Sequence, residues 1–194
     1  MLLYESTSAG PAAGLPPAAG RRHWRLLSED WQLADGTPVT IRPIRASDYL
    51  LELAFVRGLS RESRYQRLLS ARDLLPGELR RLTDIDTTRE MALIATTRIA
   101  GAETQMGVAR YIRESAASHT SELEIVIGDR WQRQGLGEKL LRNLLAAAAE
   151  AGVGEISGLT LATNAGMLGL ARKLGFRVAR EAGDATVSRI VKAL

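Results

Sequence analysis

The loop Asp129–Leu141, DRWQRQGLGEKLL, holds the residues of this sequence that most readily suggest ligand binding. Gly135 and Gly137 stand two residues apart, between a run of aliphatic residues and a helix-like segment. Glycine lets a backbone approach a ligand closely, and the first amides of a helix lack partners and favour negative charge. Arg130 and Arg133 add positive charge nearby. The loop would suit a pyrophosphate, although glycines at this spacing more often serve only a turn.

Two familiar phosphate-binding patterns do not fit this loop. The dinucleotide fingerprint requires a third glycine where Leu140 stands, and the ATP phosphate loop requires Gly-Lys followed by Ser or Thr. If this loop binds an anion, it is a helix N-terminal loop of a type other than these two.

Two carboxylates precede the loop in the segment SELEIVIGD. Glu122 and Glu124 lie two residues apart on this predicted strand, so both point to the same face of a sheet. Carboxylates at alternate positions are also typical of an ordinary solvated strand face. The pair could therefore act on a proton or simply face water.

Alternation and helical periodicity predict the elements that must position these residues. Strands are expected at residues 36–44, 90–101, 104–114, 121–129 and 156–163, with two more in the C-terminal 19 residues. Helices are expected at residues 48–58, with Asp48 as the cap, and at 60–70, 76–85, 137–151 and 164–175. The order predicts an α/β (α+β) fold, in which an antiparallel meander passes into a β-α-β unit within a mixed central sheet of about six to seven strands.

Length and composition narrow the class of protein. The 194 residues suit one domain, expected at 31–194, and the Ala-, Gly- and Pro-rich start predicts a disordered tail over 1–30. No cysteine is present, which excludes disulfides and thiol nucleophiles, and the only histidines, His23 and His119, predict no metal site. No 18-residue apolar run predicts a membrane span, and a cytoplasmic location is expected. The net charge of +4 suits an anionic ligand, while the short basic segment RRHWR is too weak a signal to make nucleic acid the expected partner.

The segment Gln132–Gly137, QRQGLG, resembles the Q/R-x-x-G-x-G/A signature of the GNAT superfamily of N-acetyltransferases. NAGMLGLARKLGF, residues 164–176, resembles the second motif of that family, an Asn-led helix that ends in Gly-Phe. The segments DGTPVTIRPIRASD, LSRESRYQRLL and DIDTTREMALIA resemble the acetyltransferase domain of bacterial Pat-type protein lysine acetyltransferases. The likeness extends from about Leu33 to Phe176 and implies the GNAT fold.

The resemblance implies acetyl-CoA as co-substrate, and it implies a set of residues that would bind it. The loop would hold the pyrophosphate through Gln132, Arg133, Gln134, Gly135, Leu136, Gly137 and Glu138. Asn164 would lie near the pantetheine arm, or would equally serve as a helix N-cap. In this family the strand before the loop usually carries a bulge and splays from its neighbour, which frees an amide for the thioester oxygen. That amide would belong to Ile125, Val126 or Ile127.

The resemblance also assigns proton transfer. A lysine amine, with a pKa of about 10.4, must lose a proton before it attacks a thioester. Glu122, ten residues before Gln132, matches the catalytic glutamate of Pat-like enzymes, and Glu124 would be its substitute or a substrate contact. Ala171 stands where many family members have a tyrosine that protonates the thiolate, a departure that Pat-like domains share. Arg64, Tyr65, Arg67 and Arg89, in the Pat-like segments, would either shape the acceptor site or form surface ion pairs.

Three functions are compatible with these residues. Transfer of an acetyl group to protein lysines in a ternary complex is the leading hypothesis. The alternatives are acetylation of a small amine and a non-catalytic module that senses acyl-CoA. The oligomeric state is not predicted.

Overall fold

The computed structural model describes residues 28–68 and 76–194, with no side-chain description at 66–68 and 76. Eight strands form one mixed sheet in the order β1-β2-β3-β4-β5-β6-β8-β7. The strands are β1 Glu29–Gln32, β2 Pro38–Pro43, β3 Glu90–Ile99, β4 Ala102–Ile112, β5 Thr120–Ile127, β6 Glu155–Leu161, β7 Arg177–Glu181 and β8 Asp184–Ala193. The α-helices of the described residues are α1 Tyr49–Gly58, α2 Arg61–Leu68, α3 Pro76–Arg81, α4 Leu136–Glu150 and α5 Ala165–Lys173.

The predicted connection of meander and β-α-β unit is confirmed. Strands β3, β4 and β5 pair antiparallel in succession. The chain then crosses through α4, and β6 pairs parallel to β5. Strands β8 and β7 extend the sheet beyond β6 by antiparallel pairing. The chain thus changes from hairpins to a crossover at the glycine loop.

The sheet has one strand more than the predicted upper number of seven, and the additional strand is β1. Its four residues, EDWQ, are too few and too polar to show strand periodicity. Pairing with β2 makes the strand, and Glu29 fastens it to α4 through Lys139, at 2.6 Å, and Asn143, at 3.0 Å. The predicted boundary at residue 30 therefore falls inside β1, while residues 1–27 lie outside the described part.

Helices α4 and α5 cover one face of the sheet, and α1 packs on the other. Leu136, Leu140, Leu141 and Leu144 of α4 are fully buried in the larger core. Burial of each such leucine contributes about 1.5–3 kcal/mol. On the opposite face, Phe55 of α1 belongs to a smaller core cluster with strand residues that include Val126 of β5. Because side chains alternate along β5, Glu122 and Glu124 point to the α1 face like Val126.

Asp48 stands at the N-cap position of α1, but its side chain does not cap the helix as predicted. Its carboxylate instead accepts two hydrogen bonds from the guanidinium of Arg42, at 2.7 and 2.9 Å, and a third from the amide of Arg45, at 2.8 Å. Arg42 and Asp48 are both buried, and a buried guanidinium needs a counter-ion more than a helix end needs a cap.

Within residues 28–68 and 76–194, none of the helices combines the length and the apolar character that crossing a bilayer requires.

Candidate active site

A cleft opens where two parallel strands separate. Strands β5 and β6 pair only over Thr120–Glu122 and Glu155–Ser157. Beyond these residues β5 stays paired with β4, and β6 stays paired with β8. The gap between them forms a cleft of about 430 Å³, lined by residues 123–127 of β5, 158–160 of β6, the glycine loop and one side of α5.

The backbone of β5 presents alternate amides to this cleft. Gly128 donates its amide hydrogen bond to Met106 of β4 at 2.8 Å, so alternation directs the amide of Val126 toward β4 as well. The amides of Leu123, Ile125 and Ile127 then point to the β6 side. Of the three predicted oxyanion donors, Ile125 and Ile127 therefore face the cleft, and Val126 does not.

The bulge expected in this strand is not needed to free those amides. β5 keeps an unbroken register with β4 from Glu122, opposite Ile112, to Ile127, opposite Gly107. The expected bulge does not occur: β5 is a regular strand that is no longer paired with β6 beyond Glu122. Separation from β6 leaves the amides of Ile125 and Ile127 without a paired strand on that side.

The glycine loop turns sharply into α4. Gly135 is the N-cap residue, with φ of +85°, a left-handed conformation that glycine adopts without steric penalty. The bond from the amide of Lys139 to the carbonyl of Gly135, at 3.0 Å, is the first of the helix. The amides of Leu136, Gly137 and Glu138 precede it and have no acceptor within α4. These amides and the dipole of the 15-residue helix favour an anion at the cleft.

Side-chain charge at this end of the cleft is mixed. Arg133 and Lys173 line the cleft together with Glu138, which forms ion pairs with Lys173 and with Arg142. Hydrogen bonds from Lys173 and then Arg142 lower the pKa of Glu138, so it remains an anion. The sequence did not indicate Lys173, because its place depends on how α5 packs against α4. The unpaired amides and the two cations fit the pyrophosphate that acetyl-CoA would bring.

The two glutamines of the loop donate hydrogen bonds to other residues of the protein. Gln132 donates from Nε2 to Oγ of Ser63, at 3.2 Å, and to the carbonyl of Ile127, at 3.1 Å. Gln134 donates to the carbonyl of Arg130 at 2.9 Å and does not line the cleft. Leu136 contributes a core side chain, so only its backbone faces the loop. Ser63 lines the cleft and was not predicted as a site residue.

Asn164 combines the two roles that the sequence left open as alternatives. Its Oδ1 accepts a hydrogen bond from the amide of Met167 at 3.0 Å, which is the N-cap interaction of α5. The residue also lines the cleft. Contact with a pantetheine arm stays a prediction.

Glu122 and Glu124 share a face but differ in their surroundings. Glu122 is the last residue of β5 that pairs with β6, so it stands where the cleft begins, although only Glu124 is among the lining residues. Nε of Arg110 lies 3.7 Å from the carboxylate of Glu124. Among the described residues, no cation lies within 4.0 Å of the carboxylate of Glu122.

Of the other residues that the sequence singled out, Tyr65, Arg89 and Ala171 are not among those that line the cleft. Ala171 is fully buried in the core and does not line the cleft. Arg89 forms ion pairs with Asp86, at 3.4 Å, and Glu90, at 3.7 Å, which supports its structural interpretation. Tyr65 is 44% exposed on α2. The side chain of Arg67 lies outside the described residues.

The fold places a cleft between two separating strands beside the N-terminus of α4, where the first amides of the helix are unpaired. No group of three potential metal ligands occurs in the described part of the chain. The family model of the acetyltransferase (GNAT) domain matches residues 39–177. The chain therefore belongs to the GNAT acetyltransferases, a family that uses acetyl-CoA, and the predicted GNAT fold is confirmed.

Individual relatives agree with this family. The chain is 32% identical over 155 residues to Acetyltransferase PA5475 of Pseudomonas aeruginosa, which covers 79% of this chain and 83% of the relative. The crystal structure of the GNAT domain of S. lividans PAT matches with a TM-score of 0.77 and 25% identity, covering 93% of this chain and 100% of that domain. A cAMP-binding acyltransferase from Mycobacterium smegmatis shares the fold, with a TM-score of 0.59 and 22% identity over 92% of this chain and 53% of that protein.

Proposed function

We propose that the protein transfers the acetyl group of acetyl-CoA to the side-chain amine of protein lysines within a ternary complex, with Glu122 as general base. The observation that carries this proposal is the separation of β5 from β6 directly after Glu122. It brings the free edge of β5, which would receive a thioester, next to a carboxylate that would receive a proton.

The donor end of the cleft supports acetyl-CoA as the ligand. The amides of Leu136, Gly137 and Glu138 would bind the pyrophosphate, with Arg133 and Lys173 supplying positive charge. The wall of the cleft between β5 and β6 would accept the pantetheine arm alongside Asn164. A strand edge without a partner is a suitable site for an amide-containing chain, because it can pair with the amides of that chain.

The acceptor side supports a macromolecular substrate. Glu122 and Glu124 are exposed, and Leu159 of β6 is 44% exposed beside them. Among the described residues, the α1 face at this point is open rather than enclosed, and a lysine on a protein surface could reach it. The resemblance to Pat-type enzymes and the match to the S. lividans PAT domain favour the same acceptor.

The proposed transfer assigns each step to a group of this chain. Glu122 takes a proton from the lysine ammonium, directly or through a water molecule, and the free amine attacks the thioester carbon. The amide of Ile125 or Ile127 donates to the thioester oxygen as negative charge develops there. A C–N bond forms, the nitrogen gives its second proton to water, the C–S bond breaks, and the electron pair leaves on sulfur.

The leaving thiolate would take its proton from water. Ala171 has no proton to give and is buried away from the cleft. A thiol with a pKa near 8.5, the cysteine reference value, forms a tolerable leaving group without a dedicated acid. The buried alanine is therefore compatible with turnover.

Release of CoA from acetyl-CoA in the presence of different acceptors tests this function. We expect release with lysine-containing proteins and little release with polyamines, amino acids or aminoglycosides. Release with one small amine alone would favour a small-molecule acetyltransferase. Tight binding of acetyl-CoA with no release for any acceptor would favour a sensing module and would contradict the proposed enzyme.

A further inference from the structure

The Pat-like segment LSRESRYQRLL contributes Ser63 to the cleft, and its start is hydrogen-bonded to Asp129 at the beginning of the glycine loop. Ser60 donates to the carboxylate of Asp129 twice, from its amide at 2.9 Å and from its hydroxyl at 2.7 Å. Ser63 adds a third bond to Asp129 from its hydroxyl at 2.8 Å. The N-terminus of α2 is therefore fastened to the residue three positions before Gln132.

Ser63 connects this anchor to the loop glutamine. Its hydroxyl donates to Asp129 and accepts from Nε2 of Gln132 at 3.2 Å. A serine hydroxyl has one proton, so the bond to Asp129 fixes that proton and leaves the oxygen lone pairs for Gln132. Ser63 is only 5% exposed, although its partners Asp129 and Gln132 are exposed.

Gln132 in turn binds the strand that borders the cleft. Its Nε2 group has two protons, and the second bonds the carbonyl of Ile127 at 3.1 Å. Both protons are thus used within the protein, and none remains for a phosphate. The carbonyl of Ile127 lies on the β6 side of β5, where an oxygen without a hydrogen-bond donor would repel an anionic ligand.

We infer that Ser63 and Asp129 are positioning residues, which orient Gln132 and through it the loop and the β5 edge that would receive acetyl-CoA. The inference rests on the proposed function, because it assigns the donor site to this cleft. It also gives a role to Ser60, directly before α2, and to Ser63 in its first turn. The glycine loop and α2 are joined by hydrogen bonds to the carboxylate of Asp129.

Isothermal titration with acetyl-CoA tests the inference without requiring turnover. Ser63→Ala should weaken acetyl-CoA binding by about three- to tenfold, the range expected from the loss of one net hydrogen bond. Asp129→Asn, which keeps the shape but loses the charge, should weaken it similarly. Thr186→Ala, which removes a hydroxyl bonded to Asp184 at 2.6 Å at the start of β8 and alters no residue that lines the cleft, should leave binding unchanged.

A double-mutant cycle separates positioning from general loss of stability. If Ser63 acts through Gln132, Ser63→Ala combined with Gln132→Ala should bind acetyl-CoA as weakly as Gln132→Ala alone. Fully additive effects would overturn the route through Gln132. Should Ser63→Ala fail to fold, Asp129→Asn combined with Gln132→Ala makes the same comparison.

The two proposals can fail separately in this experiment. If the unaltered protein does not bind acetyl-CoA, the proposed function fails, and the positioning role fails with it. If the unaltered protein binds and both Ser63→Ala and Asp129→Asn bind equally well, the positioning role alone is overturned.

Discussion

The two glutamates of β5 illustrate how neighbouring residues of one type come to differ. Both project to the α1 face, but Arg110 lies 3.7 Å from Glu124 and is itself almost fully buried. A buried guanidinium needs a counter-ion, so Glu124 is engaged in keeping Arg110 neutralised. Glu122 stands at the point where the cleft opens. This difference favours Glu122 as the base and Glu124 as its structural neighbour.

Replacing Glu122 by glutamine should lower kcat by about 10²- to 10⁴-fold, the usual contribution of a general base. Acetyl-CoA affinity should stay unchanged, since the donor site is built from other residues. Steady-state turnover with a lysine acceptor, together with titration of acetyl-CoA, measures both quantities. Glu124→Gln is the matched comparison and should reduce kcat much less; an equal loss in both variants would remove the distinction between them.

For single residues, the sequence predicted the position in an element and the sheet face better than the contacts of the side chain. Alternation correctly placed Glu122 and Glu124 on one face, and the loop motif correctly located the helix N-terminus. The hydrogen bond from Gln132 to Ser63 and the approach of Lys173 to Glu138 could not be predicted. They join residues 69 and 35 positions apart, and their formation depends on how helices pack.

Among the elements, α4 and its glycine cap would define the proposed acetyl-CoA site. The sharp turn at Gly135 exposes the first amides of the helix, while four leucines bury the opposite side of α4 in the core. A helix fixed so firmly along its length presents its N-terminus with little freedom.

Gly135→Ala should destabilise the protein by about 1–2 kcal/mol, because alanine is strained at a φ of +85°. It should also weaken acetyl-CoA binding, since the turn would relax away from the cleft. Urea unfolding gives the first effect and titration the second. Gly58→Ala serves as control: Gly58 ends α1 outside the left-handed region, and an added Cβ would meet no atom within 4 Å. Equal stability of the two variants would contradict the strain at Gly135.

Sequence periodicity failed to identify the features that depend on tertiary contacts. Strand β1 has only four residues and is recognisable only through pairing with β2 and the bonds of Glu29 to α4. Asp48 carries the usual signature of an N-cap, yet its carboxylate is taken by Arg42. Both differences arise from tertiary contacts, which local propensity does not contain.

The whole molecule has helices on both faces of the sheet, and under the proposed function the two faces would serve different substrates. Helices α4 and α5 on one face bear the donor loop, and the proposed acceptor would approach from the face of α1. The buried pair of Arg42 and Asp48, with Glu103 at 3.0 Å from Arg42, links β2, the start of α1 and β4 on that second face. Its position suggests that it holds α1 against the sheet.

Asp48→Ala should lower the free energy of unfolding by about 3–5 kcal/mol, because among the described residues it leaves the half-exposed Glu103 as the one ion-pair partner of the buried Arg42 guanidinium. Chemical denaturation measures the change. Asp30→Ala is a suitable control: Asp30 is exposed and accepts one bond from Thr40 at 2.9 Å, so its loss should cost less than about 1 kcal/mol. A similarly small loss for Asp48→Ala would show that α1 is held by apolar packing alone.

The acceptor atom of the acetyl group tests the proposed function most directly. Tandem mass spectrometry of lysine-containing proteins incubated with acetyl-CoA and this protein can locate the transferred group while CoA release is followed in parallel. We predict acetyl groups on lysine side-chain nitrogens, in amounts equal to the CoA released. Release of CoA without acetyl-lysine in any protein acceptor would contradict the proposed lysine acetyltransferase.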